Sequence, residues 1–455
     1  MLNLFKFPRV CVCALSLGTS LVLGGSIAFA ATADNPPELS EKVSSGVAPL
    51  AALYEAKKWD EAIKAIDALL AKADPVSFDR AFLCGYKAQL VFTKGDSVGA
   101  IEPLETMLKI GDELKLFRFS KVLPLNEQDT LNTLAQLYMQ EASTAKTPEA
   151  QRAALSKAHN YGKRMVSGPK PTSDLQYMWA RILYSEATFD PSKIDLTVMR
   201  QAAEEAEKVL LLTIKPKEEQ YTLLLATLQQ IGETARCAEL LELLIKQFPN
   251  NKGFWPMLFQ TYLTLQGGGD KSADIGAVIT LERAQAAGQM VSNKDNYTLA
   301  GLYYNIQQYQ FAADLLERGL HSGKIDPDQK NWELLALCYQ QMGKDPRAVD
   351  VYLEAIKLFP KAASLEQQLG QIYYNTDKHD DAYKHFIAAV GKGLDRPGPT
   401  WLSIAYLALE AKKLDEALSA AEKAVAADPK SVDAKNFLRI IRESIEEREK
   451  FKKQK

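Results

Sequence analysis

The side chains with the greatest capacity for chemistry in this sequence are its four histidines and five cysteines. A zinc site brings several such groups together, often as two histidines four residues apart on one helix face. No second histidine and no cysteine stands at such a spacing from any of the histidines. We therefore expect solvated or partly packed histidines and no metal site at His159, His321, His379 and His385.

Three of the cysteines, Cys84, Cys237 and Cys338, are far apart, and each falls on the apolar face of a predicted helix. A redox or metal centre would require paired spacing such as Cys-x-x-Cys, which is absent. The pattern predicts three small buried thiols. Cys11 and Cys13 lie in an apolar N-terminal segment without the residues that precede a lipidated cysteine, so no acylation is expected.

One glycine-containing stretch, residues 319–324, resembles a phosphate-binding loop. It is one residue too short, lacks Ser or Thr after its lysine, and follows a predicted helix instead of a strand, so it predicts a helix C-terminal cap. Acidic pairs such as Asp380 and Asp381 fall at helix starts, where they suit the helix dipole. No Gly-x-Ser-x-Gly motif occurs. We expect no catalytic residue, no cofactor and a protein that is not an enzyme.

The net charge is −2, and acidic and basic residues are mixed along the chain. Nucleic-acid binding calls for a concentrated basic surface. The one basic cluster is at the extreme C-terminus, on what reads as a solvated helix end: Lys450, Lys452, Lys453 and Lys455. The charge pattern argues against a nucleic-acid partner.

The first thirty residues have the pattern of a targeting signal. Lys6 and Arg9 precede an uncharged apolar run over residues 10–29, and Ala28 and Ala30 supply small residues before a cleavage site. We expect export by a Sec-type signal peptide over residues 1–30, followed by a linker over 31–46. The apolar run is also long enough to span a bilayer, so an uncleaved inner-membrane anchor is the alternative.

A repeat of about 35 residues runs through the C-terminal half, marked by small residues at Ala277, Ala312, Ala348, Ala382 and Ala417. One copy of the pattern consists of Trp332, Leu335, Ala336, Tyr339, Ala348, Tyr352 and Pro360. This arrangement resembles the tetratricopeptide repeat, in which two antiparallel helices cross at small residues. The prolines would end each second helix because they lack an N–H donor.

The sequence therefore predicts an all-α, right-handed α-solenoid of about ten such helix pairs. We expect an irregular N-terminal array over residues 47–250, a regular C-terminal array over 251–430, and a capping helix with a basic tail over 431–455. Residues 267–272 lengthen one turn, as a tolerated loop or, less commonly, a binding loop.

In such a solenoid the first helices of the repeats line the concave side. We predict a partner-binding groove along the exposed stripe of these helices, which contains Tyr297, Tyr304, Asn305, Gln340, Gln341, Gln371, Tyr374, Asn375 and Tyr406. Tyrosine offers a large contact area and carboxamides can pair with an extended peptide backbone, so the expected ligand is a protein segment. The alternative is that individual tyrosines pack between adjacent repeats.

Repeat proteins that grip a chain-terminal carboxylate use clustered Lys, Arg and Asn on this stripe. Here the equivalent positions hold Glu333, Gln367 and Leu402, so such a clamp is not expected.

Several segments of the C-terminal half resemble periplasmic repeat proteins associated with TonB and ExbB/ExbD systems: residues 299–303, 312–320, 334–336 and 378–389. This resemblance implies a periplasmic scaffold that supports TonB-dependent transport, with TonB, ExbB or ExbD components as partners. Two alternatives stay open: a general factor in envelope assembly or secretion, and an enzyme accessory subunit.

Overall fold

The computed structural model describes residues 35–119, 121–168, 171–267 and 271–453. This part of the chain holds twenty-one α-helices, two single-turn 3₁₀ helices and no strand. The predicted targeting signal over residues 1–30 lies outside the described residues. None of the described helices combines the length and the apolar character needed to cross a bilayer.

The chain divides between residues 169 and 170 into two compact units. The first unit contains six helices in three consecutive pairs: α1 (Glu41–Glu55), α2 (Trp59–Leu70), α3 (Phe78–Lys94), α4 (Ile101–Glu113), α5 (Glu127–Thr144) and α6 (Pro148–Val166). Helix α1 overlaps the end of the segment predicted as a linker. It forms there because Val43 and Leu50 lie on one helix face and are buried in a cluster with Ile66.

The second unit contains seven further pairs and a final helix. Their bounds are α7 (Ser173–Ala187), α8 (Leu196–Leu212), α9 (Glu218–Ile231), α10 (Thr234–Gln247), α11 (Phe254–Gly267), α12 (Lys271–Ala286), α13 (Asn293–Asn305), α14 (Tyr309–Ser322), α15 (Gln329–Gln341), α16 (Asp345–Leu358), α17 (Ala363–Asn375), α18 (His379–Gly391), α19 (Gly398–Glu410), α20 (Leu414–Ala427) and α21 (Val432–Lys453). The ten pairs and the final helix confirm the predicted repeat arrangement.

Small residues stand at the helix crossings, as predicted. Ala336 of α15 and Ala348 of α16 are both fully buried in one hydrophobic cluster. In the next pair Gly370 takes the equivalent place, and a Cβ atom there would lie 2.7 Å from Cδ1 of Phe386. At Gly370 even the methyl group of alanine would therefore crowd the crossing of the two helices.

The turn between the two helices of a pair requires a left-handed residue. Gln307, Gly343, Asp377 and Lys412 occupy equivalent places in four successive pairs, with φ of 62°, 67°, 57° and 59°. Only one of them is glycine, so the other three adopt a conformation that L-residues disfavour.

The C-terminal helix covers the end of the array. Phe437 and Ile441 of α21 are buried in one cluster with Ile404 and Ala417 of the last pair. Helix α21 therefore shields these apolar side chains of the last pair from solvent. The predicted capping helix is confirmed, and residues 454–455 of the predicted basic tail lie outside the described residues.

Candidate functional site

The predicted groove residues lie on the first helices of four successive pairs, α13, α15, α17 and α19. On each helix the buried residues form one face, for example Leu299, Ala300 and Leu302 on α13, and the predicted groove residues follow the opposite face. We call the nine residues the first-helix stripe: Tyr297, Tyr304, Asn305, Gln340, Gln341, Gln371, Tyr374, Asn375 and Tyr406.

Seven of the nine stripe residues are exposed to solvent: Tyr297, Asn305, Gln341, Gln371, Tyr374, Asn375 and Tyr406. Tyr304 and Gln340 are only partly exposed. Three phenol rings are among the exposed large side chains, with Tyr297 at 36%, Tyr374 at 38% and Tyr406 at 43% of full exposure. Exposed aromatic rings of this size are the groups that contribute most to binding a protein partner.

The four tyrosines of the stripe differ in how much they also pack within the chain. Tyr304 contacts the hydrophobic cluster of α13–α17 and makes an edge contact with the ring of Tyr309. The ring of Tyr406 lies 3.8 Å from that of Phe437 on α21. Tyr374 stacks on His379 at 5.9 Å between ring centroids. Tyr304 and Tyr406 are therefore the stripe tyrosines that most clearly pack within the chain, which is the alternative to binding a partner.

The amide side chains of the stripe are partly pre-organised. Nε2 of Gln371 donates to Oδ1 of Asn375 at 2.8 Å, one helical turn away. Oε1 of Gln340 is buried and has no hydrogen-bond partner within the described structure. Outside the stripe, Gln367 donates to Oγ1 of Thr400 at 3.1 Å and so links two first helices.

A pocket of about 480 Å³ opens beside the stripe, lined by residues of α15, α16 and α17. At its wall Nε2 of Gln329 lies 2.8 Å from Oε1 of Glu333 and 2.7 Å from Oγ of Ser364. The Ser364 hydroxyl donates to the same Glu333 oxygen at 2.9 Å. Tyr352 of α16 lines the pocket with a buried hydroxyl that has no hydrogen-bond partner among the described residues.

Sequence reasoning missed this pocket. The sequence shows Glu333 only as an acidic residue at the position of a clamp residue. Tyr352 lies on α16, the second helix of the pair, and so falls outside the predicted binding surface. The repeat pattern assigned that tyrosine to the core.

A second set of tyrosines ties neighbouring repeats together through glutamates. The Tyr339 hydroxyl on α15 donates to Oε2 of Glu317 on α14 at 2.9 Å, and Arg347 donates to Oε1 of the same carboxylate at 2.7 Å. Tyr303 on α13 donates to Glu282 on α12 in the equivalent way. These bonds cross from one pair to the next, so these tyrosines hold the array together and do not belong to the exposed stripe.

The first unit contains a related polar cluster. Oε1 of Glu105 accepts hydrogen bonds from the hydroxyls of Tyr138 at 2.6 Å and Tyr161 at 2.8 Å, and Nζ of Lys157 lies 3.3 Å away. Burial acts to raise the pKa of Glu105, but these hydrogen bonds outweigh it and leave the pKa below its usual range. The cluster joins α4, α5 and α6 and contains no unpaired reactive group.

Folding places three of the histidines beside carboxylates that their sequence spacing does not reveal. Nδ1 of His385 lies 2.6 Å from Oε2 of the buried Glu366, and Nδ1 of His379 lies 2.9 Å from Oε2 of Glu410. Nε2 of His321 lies 3.6 Å from Oε1 of Glu354. Each is a pair between helices. Within the described residues no three potential ligands gather into a metal site.

Glu366 is the most buried carboxylate in this region, at 6% exposure. Nζ of Lys392 lies 2.6 Å from its Oε1, and His385 contacts its other oxygen. Burial acts to raise the pKa of Glu366, but the hydrogen bonds from Lys392 and His385 outweigh it and lower the pKa. Through these contacts the Glu366 carboxylate links α17 to His385 on α18 and to Lys392 at the end of α18.

The three cysteines of the described chain are buried and unpaired, as predicted. Burial raises the pKa of the Cys84 and Cys237 thiols to about 11 and that of Cys338 to about 12. A thiol with so high a pKa is almost entirely protonated at neutral pH and is a poor nucleophile.

Comparison with known families supports the assignment of the repeat. Sequence models of the tetratricopeptide repeat match residues 333–362 and 368–432, which hold all of α16 and α18–α20 and parts of α15 and α17. These segments are therefore tetratricopeptide repeats, and repeats of this kind imply protein partners in general. No curated protein matches the sequence.

Solved structures show only a distant likeness. The chain is similar to the crystal structure of MamA at 21% identity and a TM-score of 0.29, over 39% of this chain and 96% of that chain. It is similar to the APC/C hetero-tetramer Cut9-Hcn1 at 14% identity and a TM-score of 0.28, over 88% of this chain and 83% of that chain. TM-scores this low carry no argument about partners or function.

Proposed function

We propose that this chain is an exported, non-catalytic scaffold that holds an extended segment of a partner protein along the first-helix stripe. The observation that carries the proposal is the run of seven exposed phenol and carboxamide side chains on four successive first helices. A row of this kind has no role in the hydrophobic core, which the opposite helix faces already form.

The chemistry of the stripe suits a polypeptide better than a nucleic acid or a lipid. The stripe contains four tyrosines and five carboxamides, and no charged side chain. Carboxamides both donate and accept, so they can pair with the N–H and C=O groups of an extended chain. Tyrosine rings bury a large area with few rotatable bonds.

A more specific role follows from the sequence resemblance at residues 299–303, 312–320, 334–336 and 378–389. In this proposal the scaffold works in the periplasm and supports a TonB-dependent transport complex through TonB, ExbB or ExbD components. The basic and apolar pattern of residues 1–30 supports export. The alternative role is general envelope assembly or secretion, which would use the same stripe for another partner.

Chemical crosslinking in intact cells, followed by purification of the tagged chain and mass spectrometry, tests the proposal. We expect crosslinked proteins with the wild-type chain and their strong depletion with the Tyr297→Ala/Tyr374→Ala double variant. A matched control is Leu358→Ala, because Leu358 is 52% exposed on the second helix α16. This control should retain the wild-type set.

The identity of the crosslinked chains separates the two roles. TonB, ExbB or ExbD components support the transport role, whereas assembly or secretion proteins support the alternative. Equal recovery with the wild-type chain and the double variant, with helical content unchanged, would contradict binding along the stripe.

A further inference from the structure

The pocket beside the first-helix stripe has the position and the size to accept a side chain from a bound segment. It lies between the starts of α15 and α17, and its volume of about 480 Å³ exceeds that of one large side chain. Gln329, Glu333 and Leu337 line it from α15, and Ser364 and Gln368 from α17. A segment lying across these first helices would pass over its mouth.

Asp328, Lys330 and Glu333 line the pocket and give it a net negative charge, and no cationic side chain of the described residues forms an ion pair with Glu333. Oε1 of Glu333 accepts from Gln329 and Ser364, which are both neutral donors. Asp328 and Lys330 at the mouth are exposed and carry opposite charges. Glu333 therefore supplies the unbalanced charge of the pocket, held in a fixed position by two hydrogen bonds.

The pocket is also lined by Tyr352, whose hydroxyl is buried without a partner among the described residues. This side chain is 1% exposed, lines the pocket, and has no hydrogen-bond partner for its oxygen within the described structure. Burial and the nearby Glu333 carboxylate raise its pKa, so the hydroxyl stays protonated at neutral pH. A buried hydroxyl without a partner is uncommon in folded proteins, and a polar ligand group reaching it would satisfy it.

We propose that this pocket binds a basic side chain of the partner segment, arginine in preference to lysine. This inference rests on the proposed function, because the basic residue belongs to the segment held along the stripe. A guanidinium presents five N–H donors in a planar fork, which allows it to bond the Glu333 carboxylate and the Tyr352 oxygen together. Its aliphatic stem would pack against the half-buried Leu337.

Selection of a phage-displayed library of random heptapeptides on the purified full chain tests this proposal. The same library is selected on Glu333→Gln, which keeps the shape and the acceptor oxygen but removes the charge. The matched control is Glu354→Gln, which makes the same charge change at an exposed position on α16. We expect arginine to be enriched at one peptide position with the wild-type and control chains and to lose its enrichment with Glu333→Gln.

Fluorescence anisotropy with an enriched peptide then measures the charge dependence directly. Replacing the arginine by citrulline, a neutral analogue of the same shape, should weaken binding to the wild-type chain roughly ten- to hundredfold. On Glu333→Gln the arginine and citrulline peptides should bind almost equally. Tyr352→Phe, which removes only the hydroxyl, should reduce the preference for arginine over lysine while circular dichroism shows an intact fold.

Two results would overturn the proposal in distinguishable ways. Enriched peptides without a basic residue, or an arginine preference that survives Glu333→Gln, would refute the pocket assignment and leave binding along the stripe intact. If the library gives no enrichment on the wild-type chain over Tyr297→Ala/Tyr374→Ala, both the pocket assignment and the proposed function are contradicted.

Discussion

Replacing Gly370 by alanine tests the packing of the helix pairs most sharply. The added Cβ would lie 2.7 Å from Cδ1 and 2.8 Å from Cε1 of Phe386, whereas non-bonded carbons normally approach to about 3.5–4.0 Å. Phe386 is 1% exposed, so its ring must shift within a packed core to accept the new methyl group. We expect the overlap to destabilise the pair by about 1–3 kcal/mol.

The chain offers a matched control at Gly301, where an added Cβ meets nothing within 4 Å. Both glycines lie inside first helices, so alanine adds the same favourable helix propensity of about 0.5–1 kcal/mol at each site. That term cancels when the two variants are compared. The difference in their free energy of unfolding should therefore equal the packing penalty alone, about 1–3 kcal/mol.

Urea unfolding followed by circular dichroism gives the overall comparison between the two variants. A repeat array can also open locally, so hydrogen exchange of amides in α17 and α18 locates the effect. Gly370→Ala should speed exchange in this pair, and Gly301→Ala should slow it slightly in α13. Equal stability and equal exchange in the two variants would refute the close crossing of α17 and α18.

Three further predictions concern the turns, the thiols and the buried ion pair. Gln307→Gly should raise the free energy of unfolding by about 1 kcal/mol, measured by urea unfolding. At a φ of 62° the Cβ atom of an L-residue crowds the backbone, and glycine has no Cβ. Cys338, with a thiol pKa of about 12, should react slowly with a thiol reagent at pH 8 when folded and rapidly in urea, and rapid native labelling would contradict its burial. The pKa of Glu366 is lower in the folded chain than in the unfolded chain, so the unfolded chain takes up a proton first as the pH falls. The ionised Glu366 therefore stabilises the fold near neutral pH, and this contribution is lost as the pH falls below about 4.3. Unfolding midpoints between pH 3 and pH 7 should show this loss, and Glu366→Gln should remove that part of the pH dependence.

The repeat fold could be predicted from the sequence because its determinants are local and periodic. A small residue must recur wherever two helices cross, and a proline placed just after a second helix cannot continue that helix because it lacks the N–H donor. Ala336 and Ala348 are accordingly fully buried, and α16 ends at Leu358, just before Pro360. These features depend on spacing along the chain, which the sequence displays directly.

The side-chain partners could not be predicted in this way, because they depend on how far one helix is rotated and shifted against another. His385 meets Glu366 across a helix pair, and their separation of 19 positions along the chain gives no sign of it. Tyr406 lies against Phe437 because α21 covers the last pair, and α21 does not carry the repeat pattern. The orphaned hydroxyl of Tyr352 likewise appears only when three helices are assembled.

The sequence predicts which helix face the first-helix stripe occupies, but it does not predict how exposed each of its side chains is. Tyr297 and Tyr374 are exposed, while Tyr304 is partly buried against Tyr309 because the following helix begins beside it. The helical period fixes which face a residue occupies, whereas the neighbouring helix decides how much of the side chain stays accessible.

Photocrosslinking in intact cells with benzoylphenylalanine at single positions tests the central claim most directly. The residue would replace Tyr374 on the stripe or, as a matched aromatic control, Phe311, which is 59% exposed on the second helix α14. Binding along the first helices predicts a discrete protein adduct from position 374 and none of that mass from position 311. Adducts of the same mass and yield from both positions, or from position 311 alone, would contradict it.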